Sequence, residues 1–461
     1  MSKYLNILFP THCIIIMKNY SGGKIMNKIS FNNEVEVRYQ TDVFIAGGGP
    51  SGIAAGLVAA RKGLKVMIVD MNSALGGAGT VGMVPCFMQF GDGENFLSEG
   101  IGREVLERLE KAEGTGGFRG KAIQTEVLKR VYDEMIQEAG IDVIFGVRII
   151  GVRKEKNDIT HVIVAAKSGM YAISAKVYID GTGDGDLCAM AEVPFDIGDE
   201  NGEMMPGTLC SLWTDIEWDK VDQRQSEMLD KAFEENMFTN EDYHLTGISR
   251  SGNTYGGGNI GHAFGVNPLD EVSLTKAYIS QRKVLTEYKN YYRKFLNGFS
   301  KLDLVGTAAI MGIRESRRIK GDYTLCLDDF KKRAVFEDEI GRYCYPVDIH
   351  PTRPGVEGFK KFQSEYEGDL RYKKGESYGI PYRTLTPIGL DNTLMAGRCI
   401  SCDRYLMGSV RVMPGCYITG QAAGMAAYLA VRDNKTTREI DIKELQRELI
   451  KIGAYLPNYK E

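Results

Sequence analysis

The sequence predicts an α/β protein, in which a Rossmann-like domain on a parallel sheet is interrupted by an inserted mixed α/β domain. Three observations lead there. Residues 41–46 (TDVFIA) form a short buried-strand pattern running straight into Gly47-Gly-Gly-Pro-Ser-Gly52, and residues 53–62 then carry Ala, Leu and Val at helical spacing up to Gly63. Residues 65–70 (KVMIVD) are a second buried strand, so strand, helix and strand fit within about thirty residues, the length of one β-α-β unit. After Pro381 the chain returns to strand (393–396), a glycine loop and a small-residue helix from about Gly415 to Arg432, which makes the domain discontinuous.

The remaining elements come in order along the chain. Residues 76–82 are a glycine-rich loop. Residues 95–113 and 125–139 read as amphipathic helices separated by a glycine-rich turn at 114–120. A strand at 142–145 leads into an antiparallel meander at 147–154, 159–167 and 170–174, with turns at Asn157 and Gly169. Residues 176–180 (KVYID) are a third buried strand, entering Gly181-Thr-Gly-Asp-Gly-Asp186. From about Phe195 to Tyr382 the pattern changes: both Trp and three of the five His fall here, with a polar helix at 273–297. The expected division is a disordered or misassigned leader (1–33), the Rossmann-like domain (41–195 plus 385–435), a substrate domain (196–384) and a C-terminal helix or tail (436–461). The apolar stretch 5–17 is broken by Pro10 and His12 and is too short to span a membrane; Met17 and Met26 are alternative starts, since recognisable structure begins only near Glu34.

Fifty-seven Lys and Arg against 61 Asp and Glu give a net charge of -4, which provides no electrostatic footprint for nucleic acid or an anionic membrane. Nine scattered cysteines, an odd number, argue against a disulfide scaffold and for a reducing, cytoplasmic setting. Only Cys399 and Cys402 form a C-x-x-C pair, and no metal ligand set is expected.

In Gly47-x-Gly49-x-x-Gly52, the first glycine permits a tight turn, the second admits a pyrophosphate to the backbone, and the third lets helix and strand pack closely. Asp70, 23 positions after Gly47, stands where an acid binds ribose hydroxyls. Gly256-x-Gly258-x-x-Gly261 also matches, but polar SRSGNTY precedes it and Pro268 interrupts the segment after it; a turn-rich loop is expected there and no second dinucleotide site. The motif alone does not choose between NAD and FAD.

The stretches DVFIAGGGPSGIAAGLVAARKG, LGGAGTVGMV, YIDGTGDGDL, GIRESRRIKGDYTL, IPYRTLTP, DNTLMAGRCIS and GSVRVMPGCYITGQAAGMAA, in that order over residues 41–432, resemble the bacterial FAD-dependent oxidoreductase family. That family is related to the flavin portion of heterodisulfide reductase and, more distantly, to fumarate-reductase-type flavoproteins. The resemblance implies a two-dinucleotide-type Rossmann-like FAD domain. It places Gly47, Gly49, Pro50, Ser51 and Gly52 at the pyrophosphate, Asp70 at the adenosine ribose, and Gly77 and Thr80 of the 76–80 turn beside the cofactor. It brings Asp184 near the dinucleotide and Gly397-Arg398 near the ribityl chain and isoalloxazine. The helix after Pro414 then aims its N-terminus at the flavin, with Gly420 serving either the cofactor or close helix packing. The iron–sulfur cysteines of heterodisulfide reductase have no counterpart here.

On the substrate side stands 313–323 (IRESRRIKGDY). If extended, it puts Arg314, Ser316 and Arg318 on one face and Glu315 and Arg317 on the other. Arg314 with Arg318 is a candidate for holding oxyanion charge, Arg383 in the Pro-Tyr-Arg turn is another, and His262 and His244 are available for proton transfer. Each has an alternative as a structural ion pair or packed ring. Cys399 and Cys402 read as packing rather than a redox dithiol. The expected function is hydride exchange between a small organic substrate and flavin N5, with a separate electron acceptor or redox partner. Alternatives are an electron-transfer subunit of a multi-protein redox complex and, disfavoured by the acidic balance, a tRNA-modifying flavoprotein. Substrate and oligomeric state stay open.

Overall fold

A computed structural model describes residues 4–6, 34–115 and 121–460 of the chain. At its centre lies a wholly parallel five-stranded sheet built from β3 (Val43–Ala46), β4 (Val66–Asp70), β5 (Asp142–Phe145), β9 (Val177–Asp180) and β18 (Thr393–Met395), in the order β18-β9-β3-β4-β5. The sheet explains the unbroken apolar runs, because both faces are covered. Val43, Ile45, Val66, Ile68, Val177 and Ile179 enter one core, whereas Phe44, Ala46, Met67, Val69 and Tyr178 enter another. That is the period of two expected of strands buried on both sides.

The first core is shared with helices α1 (Pro50–Arg61), α2 (Ile101–Lys111) and α3 (Thr125–Glu138). It also takes in α5 (Met413–Asp433) and α6 (Ile442–Lys451), which lie beyond α4 (Glu271–Phe295) in the chain. Helices α1 and α5 are rich in small residues because they touch along their backbones. A Cβ on Gly420 would lie 2.2 Å from the Ser51 carbonyl oxygen, and one on Gly424 would lie 2.2 Å from that of Ala55. The second core is covered by the expected meander, β6 (Arg148–Glu155), β7 (Asp158–Ala166) and β8 (Gly169–Ser174); β8 pairs in parallel with β2 (Glu34–Gln40). The expected leader lies outside the described residues apart from β1 (Tyr4–Asn6), which is not disordered but runs antiparallel to β2.

A third core gathers Leu209, Trp213, Leu285, Tyr288, Tyr292, Phe299 and Met311. It lies between α4 and the antiparallel sheet β12 (Ile248–Arg250), β13 (Gly256–Gly258), β11 (Ser211–Thr214) and β14 (Asp303–Thr307). The second glycine motif is thus a central strand rather than the expected turn-rich loop. Its glycines make room for neighbours, since a Cβ on Gly258 would lie 2.7 Å from Trp213 Nε1. The stretch expected as one insert divides between cores: Leu325, Phe330, Ile340, Tyr343, Tyr378 and Ile380, around the β16 (Glu339–Tyr343)–β17 (Tyr378–Pro381) pair, pack with α1 and α5. Residues 313–323 are not one extended strand. Only β15 (Arg318–Ile319) forms, against β10 (Phe195–Asp196).

Candidate flavin and substrate site

The three motif glycines play unequal roles. Gly47 adopts a φ of +90° and its N–H donates to the Val69 carbonyl at 2.9 Å. A Cβ on Gly52 would sit 2.0 Å from the Gly47 carbonyl oxygen. The fold itself therefore requires both. Gly49 has an ordinary φ of -72°, and a Cβ there would meet nothing nearer than the Gly181 carbonyl oxygen at 3.9 Å. This open space borders the α1 N-terminus, where Pro50 occupies the first turn and no side chain caps the free N–H groups. An uncapped helix start beside a glycine that folding does not need is a fitting place for a dinucleotide pyrophosphate.

Asp70, buried, braces the loop. Its Oδ2 accepts from Gly48 N–H at 2.7 Å, and its Oδ1 accepts from the Asn72 backbone and side-chain nitrogens at 2.7 and 2.9 Å. A carboxylate offers about four acceptor positions, so one is left for a ribose hydroxyl. The 76–80 turn lies alongside: Gly76 N–H donates to the Gly48 carbonyl, and a Cβ on Gly77 would lie 3.4 Å from Gly49 Cα. Thr80 is fully buried, its hydroxyl donating to the Leu75 carbonyl.

The late glycine loop meets the first one. A Cβ on Gly397 (φ +84°) would lie 2.6 Å from Ser51 Oγ, and the Ser51 hydroxyl donates to the Ala396 carbonyl at 3.3 Å. Arg398 donates to Asp184 Oδ1 and to Ser316 Oγ, both at 2.7 Å, tying the 180–186 loop to the 313–318 segment. Asp180 shapes that loop from below, accepting from Thr182 and from Cys188 N–H; burial pushes its carboxyl up. Gly420 faces the Ser51 backbone, where it serves helix packing. The α5 N-terminus, with Val412 as an N-cap lacking a side-chain bond and Pro414 in the first turn, is a second uncapped helix start.

The four candidate catalytic residues separate into two groups. Arg314 donates to the Pro206 carbonyl, Thr208 Oγ1 and Asn259 Oδ1, all neutral acceptors, and no carboxylate pairs with it among the described residues. Burial and the neighbouring Arg411 push its pKa down to about 10. His262 lies in the adjoining network: its Nδ1 donates to Asp242 Oδ1 at 3.0 Å, and its Nε2 is 2.8 Å from His350 Nδ1. The network runs on through His350 to Asp348 and from Asp348 to Arg411, which also donates to the Arg314 carbonyl. His244 stacks on His350 at 4.3 Å, and burial holds both rings well below the usual imidazole range.

Arg318 does not join Arg314. It turns into a buried pair with Glu315 at 2.7 Å, and Glu315 also accepts from Met205 N–H and Arg404. Arg383 forms a partly exposed pair with Asp338 at 2.9 Å. Cys399 and Cys402 are free and buried in the core, as packing residues are. Sequence reasoning missed Asp242, Asp348, His350 and Arg411. The available signal was a repeated Asp-x-His triplet, at 242–244 and 348–350.

A thiamine thiazole synthase of Methanococcus aeolicus is 31% identical over 188 residues, covering 38% of this chain and 66% of its own length. A digeranylgeranylglycerophospholipid reductase of Methanococcoides burtonii is 26% identical over 161 residues, 31% of this chain and 38% of its own. The chain thus spans less than two thirds of the length of either relative. A geranylgeranyl bacteriochlorophyll reductase-like structure from Thermoplasma acidophilum aligns with 90% of this chain and 83% of its own, at 13% identity and a TM-score of 0.44. Among the described residues no helix is long and apolar enough to cross a membrane. The model of the family described as FAD dependent oxidoreductase matches residues 42–449, from the strand before the glycine loop to the last helix, and the chain belongs to that family.

Proposed function

We propose that the protein exchanges a hydride between a small anionic organic substrate and N5 of FAD, with a separate electron acceptor or donor. The observation that carries this reading is Arg314. A partly buried guanidinium bonded only to neutral acceptors, beside a second arginine that already shares Asp348, has no carboxylate partner of its own among the described residues, and an anionic substrate would fill that place. Bound FAD supplies the two-electron chemistry, and the protein supplies binding, orientation and electrostatics. Gly47 to Gly52 and the α1 N-terminus would hold the pyrophosphate, and Asp70 the ribose. Arg398 and Asp184 would close the loop over it, and the α5 N-terminus would favour negative charge on the reduced ring. Arg314 and Arg411 would hold the substrate's carboxylate or developing oxyanion. A closer kinship with the flavin portion of heterodisulfide reductase belongs to the same proposal and is supported by the sequence stretches alone.

The test is an anaerobic titration of purified protein that follows the flavin absorption band. Sugars, hydroxy acids, enoates and both nicotinamides are added in turn to oxidised or pre-reduced enzyme. A redox change with a hydroxy acid or enoate is the expected result. Inertness towards every small molecule, with a normal flavin spectrum, refutes the dehydrogenase reading in favour of an electron-transfer protein.

A further inference from the structure

Three of the chain's five histidines meet at one point. His244 and His262 come from the segments flanking β12 and β13, and His350 comes from about ninety residues later in the chain. One ring nitrogen from each lies within 4.8 Å of the other two. Two of the rings are clamped from behind by carboxylates: His262 Nδ1 by Asp242 at 3.0 Å and His350 Nε2 by Asp348 at 3.1 Å. An ionised carboxylate only accepts, so both clamped nitrogens carry hydrogen. In neutral rings the opposite nitrogens, His262 Nε2 and His350 Nδ1, then turn lone pairs towards each other across 2.8 Å. Acceptor faces acceptor, and the arrangement calls for a cation. His244 adds a third ring, whose Nδ1 is shielded from solvent and without a hydrogen-bond partner among the described residues.

We propose that His244, His262 and His350 bind one divalent transition-metal ion of the zinc type, with a fourth position open to an oxygen of the anionic substrate. This rests on the functional reading above and assigns His262 to a ligand instead of the proton-transfer role expected from sequence. Imidazole suits such ions, three protein ligands with one open position is a catalytic metal arrangement, and a carboxylate behind each ligating ring fixes its orientation. Nitrogens bound to one tetrahedral zinc ion at about 2.0–2.1 Å stand about 3.3 Å apart. Binding therefore requires the His262–His350 pair to open slightly and the His244 ring to turn out of its stack on His350. A small recess of about 10 Å³, bordered by His244, His262, Tyr243, Phe264 and Pro351, opens beside the cluster and has room for about one water molecule. Asp242 and Asp348 offset the two charges of the ion, while Arg314 and Arg411 leave the loaded site positive overall, which selects an anionic ligand.

The experiment uses the full chain, purified through a tag without histidine, loaded with zinc sulfate, freed of excess by gel filtration, and assayed for zinc and FAD. We expect about one zinc per chain. His262→Ala and His350→Ala should each bind zinc about ten-fold or more less tightly, and Asp242→Asn, which keeps all three imidazoles, about 10–100-fold less. His161→Ala, on β7, should behave as wild type. FAD content should be unchanged throughout, so loss of zinc is separable from failure of the flavin reading. Cobalt in place of zinc should add a visible band to the red of the flavin, lost in His350→Ala. Wild-type protein that retains no zinc and shows no cobalt band overturns the proposal, leaving a proton between the rings. Undiminished zinc in His262→Ala or His350→Ala overturns it equally.

Discussion

Replacing Gly49 by valine should separate cofactor binding from folding. The backbone there is extended at φ -72°, ψ -179°, a conformation valine adopts readily, and the nearest atom to a new Cβ is 3.9 Å away. Losing glycine removes unfolded-state entropy worth about 0.4–1 kcal/mol, while an apolar residue at the N-cap costs about as much, so the apoprotein should keep its stability. The side chain would stand where the pyrophosphate must approach the α1 N–H groups. Losing two charge-assisted hydrogen bonds at about 1.5–3 kcal/mol each weakens FAD by about 3–6 kcal/mol, or a hundred- to ten-thousand-fold. Gly52→Ala is the contrast. Its Cβ would lie 2.0 Å from a backbone oxygen, so the loop must shift, and stability should fall by about 1–3 kcal/mol together with flavin. The assay pairs FAD titration by fluorescence quenching with thermal melts of deflavinated protein, since bound flavin would itself raise the melting temperature. A Gly49→Val protein that keeps full FAD affinity, or whose apoprotein melts as early as Gly52→Ala, would refute the reasoning.

Three further outcomes are expected from the structure. Gly420→Leu should cost about 1–3 kcal/mol in denaturant unfolding, because α5 must move off α1; unchanged stability would mean the two helices do not touch there. Arg314→Ala should lower kcat/KM about 10²–10³-fold once a substrate is found, with flavin content unchanged, whereas Arg383→Ala, in a half-exposed pair, should alter stability by less than about 1 kcal/mol. Equal loss in both would remove Arg314 from the substrate site. Burial pushes the Cys86 and Cys416 thiols up to about 12 and those of Cys399 and Cys402 well above the usual thiol range, so at neutral pH none of them is a thiolate. Cys326, whose thiol burial also raises but which is the least buried cysteine among the described residues, should be the first to react with iodoacetamide in native protein, and rapid labelling of Cys399 or Cys402 by peptide mapping would contradict the packing role.

The sequence by itself determined the central sheet. Strands buried on both faces must be continuous apolar runs, and Gly47 and Gly52 are demanded by a turn and a close packing that span only a few residues. The match to α1, β4, the meander, β9, β18 and α5 arises because each rests on local periodicity or local turn chemistry. What local pattern could not decide was partnership over distance. Arg314 and Arg318 are four residues apart in one basic segment, yet the stretch between them is not a regular strand, and Glu315 takes Arg318 into a buried pair while Arg314 lies near His244 and His350. The glycine triplet at 256–258 is a strand because Trp213, some forty residues earlier, needs the space. The histidine cluster unites Asp242, His262, Asp348, His350 and Arg411 from segments that no periodicity connects. Hydrogen bonds and ion pairs act over about 3 Å in space whatever the separation along the chain, so only the tertiary structure could bring those residues together.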